Sequence, residues 1–169
     1  CKIASEELTL VPSAVVQVEV PFTEESPLMI TILLADNHVL VRKELRRLLQ
    51  DHPDLAVVGE TSNGQETLRV AHQLQPDVIL LDLSVPSMDG IKTAKRIIDE
   101  GLKSKVLILS MHASEEYAVR TLQAGAHGFV RKDAPSEEVT EAIRKVMSGG
   151  WYLPLALTEA LLKRYIRQG

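Results

Sequence analysis

The sequence has a single cysteine, no long apolar run and no excess of basic charge. The cysteine is Cys1, so an intrachain disulfide is excluded, which fits a reducing compartment. No apolar stretch approaches the roughly 18 residues that span a bilayer. There is no basic start followed by an apolar core and a small-residue cleavage site, so no secretory signal is expected. Net charge is −4, and the deficit lies in residues 1–28, where Lys2 faces Glu6, Glu7, Glu19, Glu24 and Glu25. The remainder balances to neutrality, which gives no global electrostatic case for nucleic-acid binding. Lys163, Arg164 and Arg167, set against Glu159 near the end of the chain, read as a solvated helix face. What is present is the composition of a globular protein. The 169 residues are 45% hydrophobic and 25% charged, enough for one domain with extensions.

From Met29 onward, short apolar runs alternate with amphipathic segments. The runs are Ile30–Ala35, Leu55–Gly59, Val78–Leu83, Val106–Ser110 and Gly128–Val130. Such continuous runs rich in Val, Ile and Leu read as strands buried on both faces, as in a parallel sheet. Between them, Val41, Leu45, Leu48 and Leu49 form one apolar stripe at helical spacing. Leu68, Ala71 and Leu74 form a second, preceded by Ser62 and Gln65 at capping-box spacing. Ile91, Ala94, Ile97 and Ile98 end at Gly101. Ala118, Val119 and Leu122 follow Ser114, a candidate N-cap, and end at Gly125. Val139, Ala142, Ile143 and Val146 stop at Gly149-Gly150. Five strands alternating with five helices predict an α/β doubly wound, five-stranded parallel sheet with helices on both faces.

Three parts are expected: an extension of unassigned role over 1–28, the α/β domain over 29–150, and a linker helix within 151–169. In that last part Leu157, Ala160, Leu161 and Tyr165 share one side, and Trp151-Tyr152 is expected to cover the end of the preceding helix.

In an open parallel sheet, ligand sites form beyond the carboxyl ends of the strands, near the point where strand order reverses. Asp36-Asn37-His38 follows the first strand, Asp82 ends the third, Ser110 ends the fourth, and Arg131-Lys132-Asp133 follows the fifth. Two carboxylates, an amide, a hydroxyl and an ammonium therefore converge on one edge. A carboxylate in an apolar strand needs a partner, which marks Asp82 as reactive. The oxygen ligands suit a hard cation such as Mg²⁺. Lys132 and Ser110 are placed to bind phosphoryl oxygens, and Asp82 to act as the nucleophile forming an acyl phosphate. Taken alone, Asp36 reads equally well as a helix N-cap, and Asp89-Gly90 reads as a turn and helix start. Phe129 by itself reads as core. His38, His52, His72, His112 and His127 show no metal-ligand spacing and read as structural or solvated, with His38 placed to tune the neighbouring acid.

The motifs Leu34-Ala35-Asp36, Leu81-Asp82-Leu83-Ser84-Val85-Pro86-Ser87-Met88-Asp89-Gly90, Leu109-Ser110 and Phe129-Val130-Arg131-Lys132 stand in one order. As a set, over about 29–150, they resemble the response-regulator receiver domain of two-component signalling. Leu109-Ser110-Met111-His112 and Lys132-Asp133-Ala134-Pro135 are most similar to regulators with a LuxR-type helix-turn-helix output, which would follow residue 169.

The resemblance implies a flavodoxin-like receiver fold and Asp82 as the phosphoacceptor. It implies Lys132 as the phosphate contact and Ser110 and Phe129 as the switch pair. It further implies Mg²⁺ held by Asp36, Asn37, Asp82 and the backbone carbonyl of Ser84. Asn37 stands where the family carries a second acid, so weaker Mg²⁺ affinity is expected. The implied partners are a sensor histidine kinase and a second copy of the chain, with DNA bound only through the output domain. The implied setting is cytoplasmic, away from the membrane, in a signalling rather than enzymatic role. The alternative is a receiver-like interaction module that is never phosphorylated. A flavin carrier and a phosphohydrolase fit less well. Asp36-Asn37-His38 would repel a flavin phosphate, and Ser84 stands where such hydrolases carry a second aspartate.

Overall fold

The computed structural model describes residues 29–83, 89–111 and 114–168. The readings placed on residues 1–28, on the Ser84 carbonyl, on the Ser84–Met88 part of the motif and on His112 lie outside them. The order of elements is β1 (Ile30–Ala35), α1 (Val39–Gln50), β2 (Leu55–Thr61), α2 (Gly64–Leu74), β3 (Val78–Asp82), α3 (Gly90–Asp99), β4 (Lys105–Ser110), α4 (Glu115–Gln123), β5 (Gly128–Arg131), α5 (Ser136–Met147) and α6 (Leu155–Gln168). The strands form one parallel sheet in the order β2-β1-β3-β4-β5. The order reverses between β1 and β3, so their carboxyl ends open the crevice where a site is expected.

Alternation along the strands explains why both faces are apolar. Leu33, Ala35, Ile79, Leu81, Val106, Ile108 and Phe129 point to one face, where α2, α3 and α4 supply Leu68, Ala71, Ala94, Ile97 and Ala118. Ile32, Leu34, Val78, Leu80, Leu107, Leu109 and Val130 point to the other, against Leu49 of α1 and Val139, Ala142, Ile143 and Val146 of α5. At the opposite edge from the crevice, Thr31 and Asp77 lock β1 to β3. The Thr31 amide and hydroxyl both donate to Asp77 Oδ2, and the Asp77 amide donates back to Thr31 Oγ1.

The helix ends follow local chemistry, with one correction. Ser114 caps α4 by accepting from the Tyr117 amide, and Asp89 caps α3 by accepting from Lys92. The cap of α2, however, is Asn63 rather than Ser62. Its side chain accepts from the Glu66 amide, while Glu66 reaches back to the Ser62 amide, so the capping pair lies one residue later than the spacing suggested. Gly101, Gly125 and Gly149 have positive φ at helix ends, a conformation that favours glycine.

After α5, Tyr152 forms a parallel bridge with Gly128, accepts from the Phe129 amide and donates to the His127 carbonyl. It therefore extends the β5 edge, and its side chain also packs against α5, where its hydroxyl donates to Glu138, while Trp151 is exposed. In α6, Leu157 is buried, Ala160 and Leu161 are half-buried, and Tyr165 faces solvent, because the apolar side turns away from the core before the helix ends. No helix among the described residues is long and apolar enough to cross a membrane.

Candidate functional site

The carboxyl edge of the sheet gathers charge where the rest of the interior has almost none. Asp36 follows β1 directly, Asp82 is the last residue of β3, and both are buried. Lys132 follows β5, and its side chain is only 4% exposed. Its ammonium lies 2.8 Å from Asp36 Oδ2 and 3.1 Å from Asp82 Oδ2. Two carboxylates packed together out of water repel and lose hydration, and a shared ammonium offsets both effects. The Lys132 amide donates to the Ser110 carbonyl, so β4 positions the start of the lysine turn.

Asp36 is held by its own neighbours. Its Oδ1 accepts the His38 amide at 2.8 Å, and its carbonyl accepts from Arg42 of α1. Arg42 and Arg46 in turn flank Glu60, a buried acid of β2. Asp36 Oδ2 accepts no well-directed hydrogen bond among the described residues; its approach to Lys132 is an ion pair. Asp36 is not an N-cap: α1 starts at Val39, after His38.

Asp82, Lys132, Ser110, His38, Asp89 and Leu83 help to line an open cavity of about 390 Å³. Ser110 is buried at the end of β4. Phe129 is fully buried in β5, in register with Ile108 of β4. The structure thus brings Asp36, Asp82, Ser110 and Lys132 to one edge, with Phe129 in the adjoining core. Asn37 is exposed, while Asp89 acts in capping α3 as its turn chemistry suggested.

His38, which the sequence sets beside the neighbouring acid, lies against it and reaches further into the cluster. Its Nδ1 lies 3.1 Å from Asp36 Oδ1, 3.8 Å from Asp82 Oδ2 and 3.2 Å from the Lys132 ammonium. The chain bends at Asn37, and the His38 amide donates to Asp36 Oδ1, which brings His38 back over Asp36. Tyr117 and Arg120 of α4 also line the cavity; nothing in their helical pattern marked them.

The donor set of the cluster suits a divalent cation. Carboxylate oxygens from Asp36 and Asp82 and a ring nitrogen from His38 all lie within 4.8 Å of one another, with the Lys132 ammonium against Asp36 Oδ2. The chemistry available is that of a carboxylate beside a cation, with an ammonium and a hydroxyl on the open side.

Residues 32–144 match the response regulator receiver domain family. The chain is 37% identical over 131 residues to the nitrate/nitrite response regulator protein NarL of Escherichia coli, covering 78% of this chain and 61% of that one. It is 34% identical over 133 residues to the response regulator GacA of Pseudomonas aeruginosa, covering 79% and 62%. It thus spans about three fifths of the length of these relatives. Among solved structures, a LuxR-family two-component response regulator from Aurantimonas superposes with a TM-score of 0.77 at 28% identity, covering 82% of this chain and 99% of that one. The receiver domain of NarL from Mycobacterium tuberculosis gives 0.71 at 32% identity, covering 73% and 99%. Sheet order, sequence match and structural likeness agree that the chain belongs to the response regulator receiver domains, of the NarL and LuxR type.

Proposed function

We propose that Asp82 accepts a phosphoryl group from a sensor histidine kinase and that the chain acts as a signalling switch rather than an enzyme. The observation that carries this reading is the buried ammonium of Lys132 between Asp36 and Asp82, at the edge of an open cavity. An oxygen of the Asp82 carboxylate attacks phosphorus, the bond from phosphorus to the donor atom breaks, and its electron pair leaves with the donor. Mg²⁺, bound by Asp36 and Asp82 with Asn37 and the Ser84 carbonyl as further oxygen donors, would offset repulsion between nucleophile and phosphoryl group. Lys132 is placed to hold a phosphoryl oxygen. Ser110 would bind another, drawing β4 inward, with Phe129 moving into the space released.

The readout would be a changed surface around α4, β5 and α5, recognised by a second copy of the chain or by an output domain beyond residue 169. The relatives bear names of response regulators and transcriptional regulatory proteins. On that basis the full protein would act in the cytoplasm and control transcription through its own DNA-binding output.

Incubation with Mg²⁺ and acetyl phosphate, followed by intact mass measurement, tests this reading. One phosphoryl adduct is expected, and it should vanish in Asp82→Asn. Absence of an adduct with both acetyl phosphate and a histidine kinase would favour the phosphorylation-independent interaction module.

A further inference from the structure

The main chain of Asp36 is held on both sides of its Cα, but by different means. Its amide donates to the Thr61 carbonyl of β2 at 3.0 Å. Its carbonyl lies beyond the last paired residue of β1 and accepts from a side chain instead, Arg42 Nη1 of α1, at 2.8 Å. We infer that Arg42, backed by Glu60, is a positioning residue for the phosphorylation site: it sets the main chain at Asp36, and so the angle at which that carboxylate meets Lys132 and Asp82. The inference rests on the reading of Asp82 as the phosphoacceptor.

The hydrogen bonds around Glu60 support it. Glu60 is a buried carboxylate of β2, which requires a positive partner. Arg46 already supplies one, with a directed hydrogen bond from Nη1 to Oε2. Arg42 Nε lies 3.5 Å from Glu60 Oε1 as an ion pair, and this buried nitrogen makes no directed bond among the described residues. The well-directed bond of Arg42 goes to Asp36. Neutralising Glu60 therefore does not account for the second arginine, whereas holding the Asp36 carbonyl does. The two arginines stand one turn apart on α1, so Glu60 keeps both heads on the side of the helix that faces β2.

The effect reaches the site through one residue. The Asp36 carboxylate stands 2.8 Å from the Lys132 ammonium, which stands 3.1 Å from Asp82. The carbonyl and the carboxylate branch from the same Cα, so a shift of this main chain moves the charge beside the nucleophile. Misplacing such a group by about 1 Å lowers rates by up to about a hundredfold.

Arg42→Met and Arg46→Met are the test pair, since each removes one cation from Glu60 and only the first releases the Asp36 carbonyl. Both should unfold at lower urea than the native chain. In metal-free protein the amide proton of His38, bonded to Asp36 Oδ1, should shift in NMR spectra of Arg42→Met and stay in place in Arg46→Met. With Mg²⁺ and acetyl phosphate, adduct formation should slow by about tenfold in Arg42→Met and by less than about twofold in Arg46→Met. An unmoved His38 amide in Arg42→Met, or equal slowing in the two variants, overturns the inference. If circular dichroism shows that Arg42→Met does not fold, Arg42→Lys gives the same readouts. It keeps the charge beside Glu60 without the planar fork that spans both groups. A native chain that forms no adduct defeats the phosphoacceptor reading alone, because the metal-free spectra still decide the role of Arg42.

Discussion

Lys132 Nζ lies 3.1 Å from Asp82 Oδ2, joining the ends of β3 and β5 across the end of β4. The same ammonium is 2.8 Å from Asp36, and all three side chains are almost wholly buried. Removing one partner of a buried ionic set costs about 3–5 kcal/mol, because the remaining charge stays desolvated. Lys132→Met should therefore lower stability by several kcal/mol in metal-free buffer, and a divalent cation should restore part of the loss. Urea unfolding with and without Mg²⁺ measures both effects; an unchanged midpoint in metal-free buffer would show that the three groups are not coupled.

Asn37→Asp adds a negative charge beside the cluster without touching the core, since the position is exposed. Ligand charge tunes affinity for hard cations, so Mg²⁺ binding should tighten by about an order of magnitude. Calorimetric titration of the two proteins decides it, and equal affinities would remove Asn37 from the metal site.

Gly90 opens α3 against the end of β3, and its amide donates to the Leu83 carbonyl. A Cβ placed there would lie 2.6 Å from Leu83 Cα and 2.7 Å from the Asp82 carbonyl oxygen, both backbone atoms with little room to retreat. Gly90→Ala should cost about 1–3 kcal/mol through forced backbone shifts. It should also cut the yield of phosphoryl adduct, since the displaced carbonyl belongs to Asp82. Thermal unfolding and intact mass give the two readouts, and a variant normal in both would refute the close approach.

His127 provides the pH dependence. Burial, aided by the positive charge of Lys105, holds its pKa below the ordinary 6.5, and its Nδ1 accepts the Val106 amide. The folded state resists a proton that the unfolded chain takes up, so stability should fall as pH drops from about 6.5 toward the folded value. His127→Asn keeps an acceptor for the amide and should flatten this slope. Denaturation midpoints between pH 8 and pH 5 check it, and parallel curves for the two proteins would rule out His127 as the source.

The sheet was legible because its chemistry is local. Leu33, Ile79 and Ile108 alternate with Leu34, Leu80 and Leu109, and both sets are apolar, so the strands had to be covered on two sides. The edge carrying Asp36, Asp82, Ser110 and Lys132 followed from where those strands end. Less visible were features set by a single residue's direction. Asn63 in place of Ser62 as the α2 cap is a one-residue choice between two good capping side chains. His38 entered the cluster because the chain bends at Asn37 and the His38 amide turns back onto Asp36 Oδ1, a local turn that residue identities alone left open. Tyr117 and Arg120 reach the cavity through the placement of α4 on the sheet, a long-range packing outcome.

The pairing of Tyr152 with Gly128 bears on mechanics as well as architecture. Two backbone hydrogen bonds couple residues 127–129 to Tyr152, and the Tyr152 hydroxyl donates to Glu138 of α5. The root of α6 is thereby riveted to β5 at Phe129, while Tyr165 and Ile166 near its tip are exposed. Leu157 is buried in the core and Arg164 lies 3.7 Å from Glu115 of α4, so α6 is held along α4 as well as at its root. The same rivet clothes one side of an outer strand, closing a seam where a foreign strand would otherwise be able to stitch itself on.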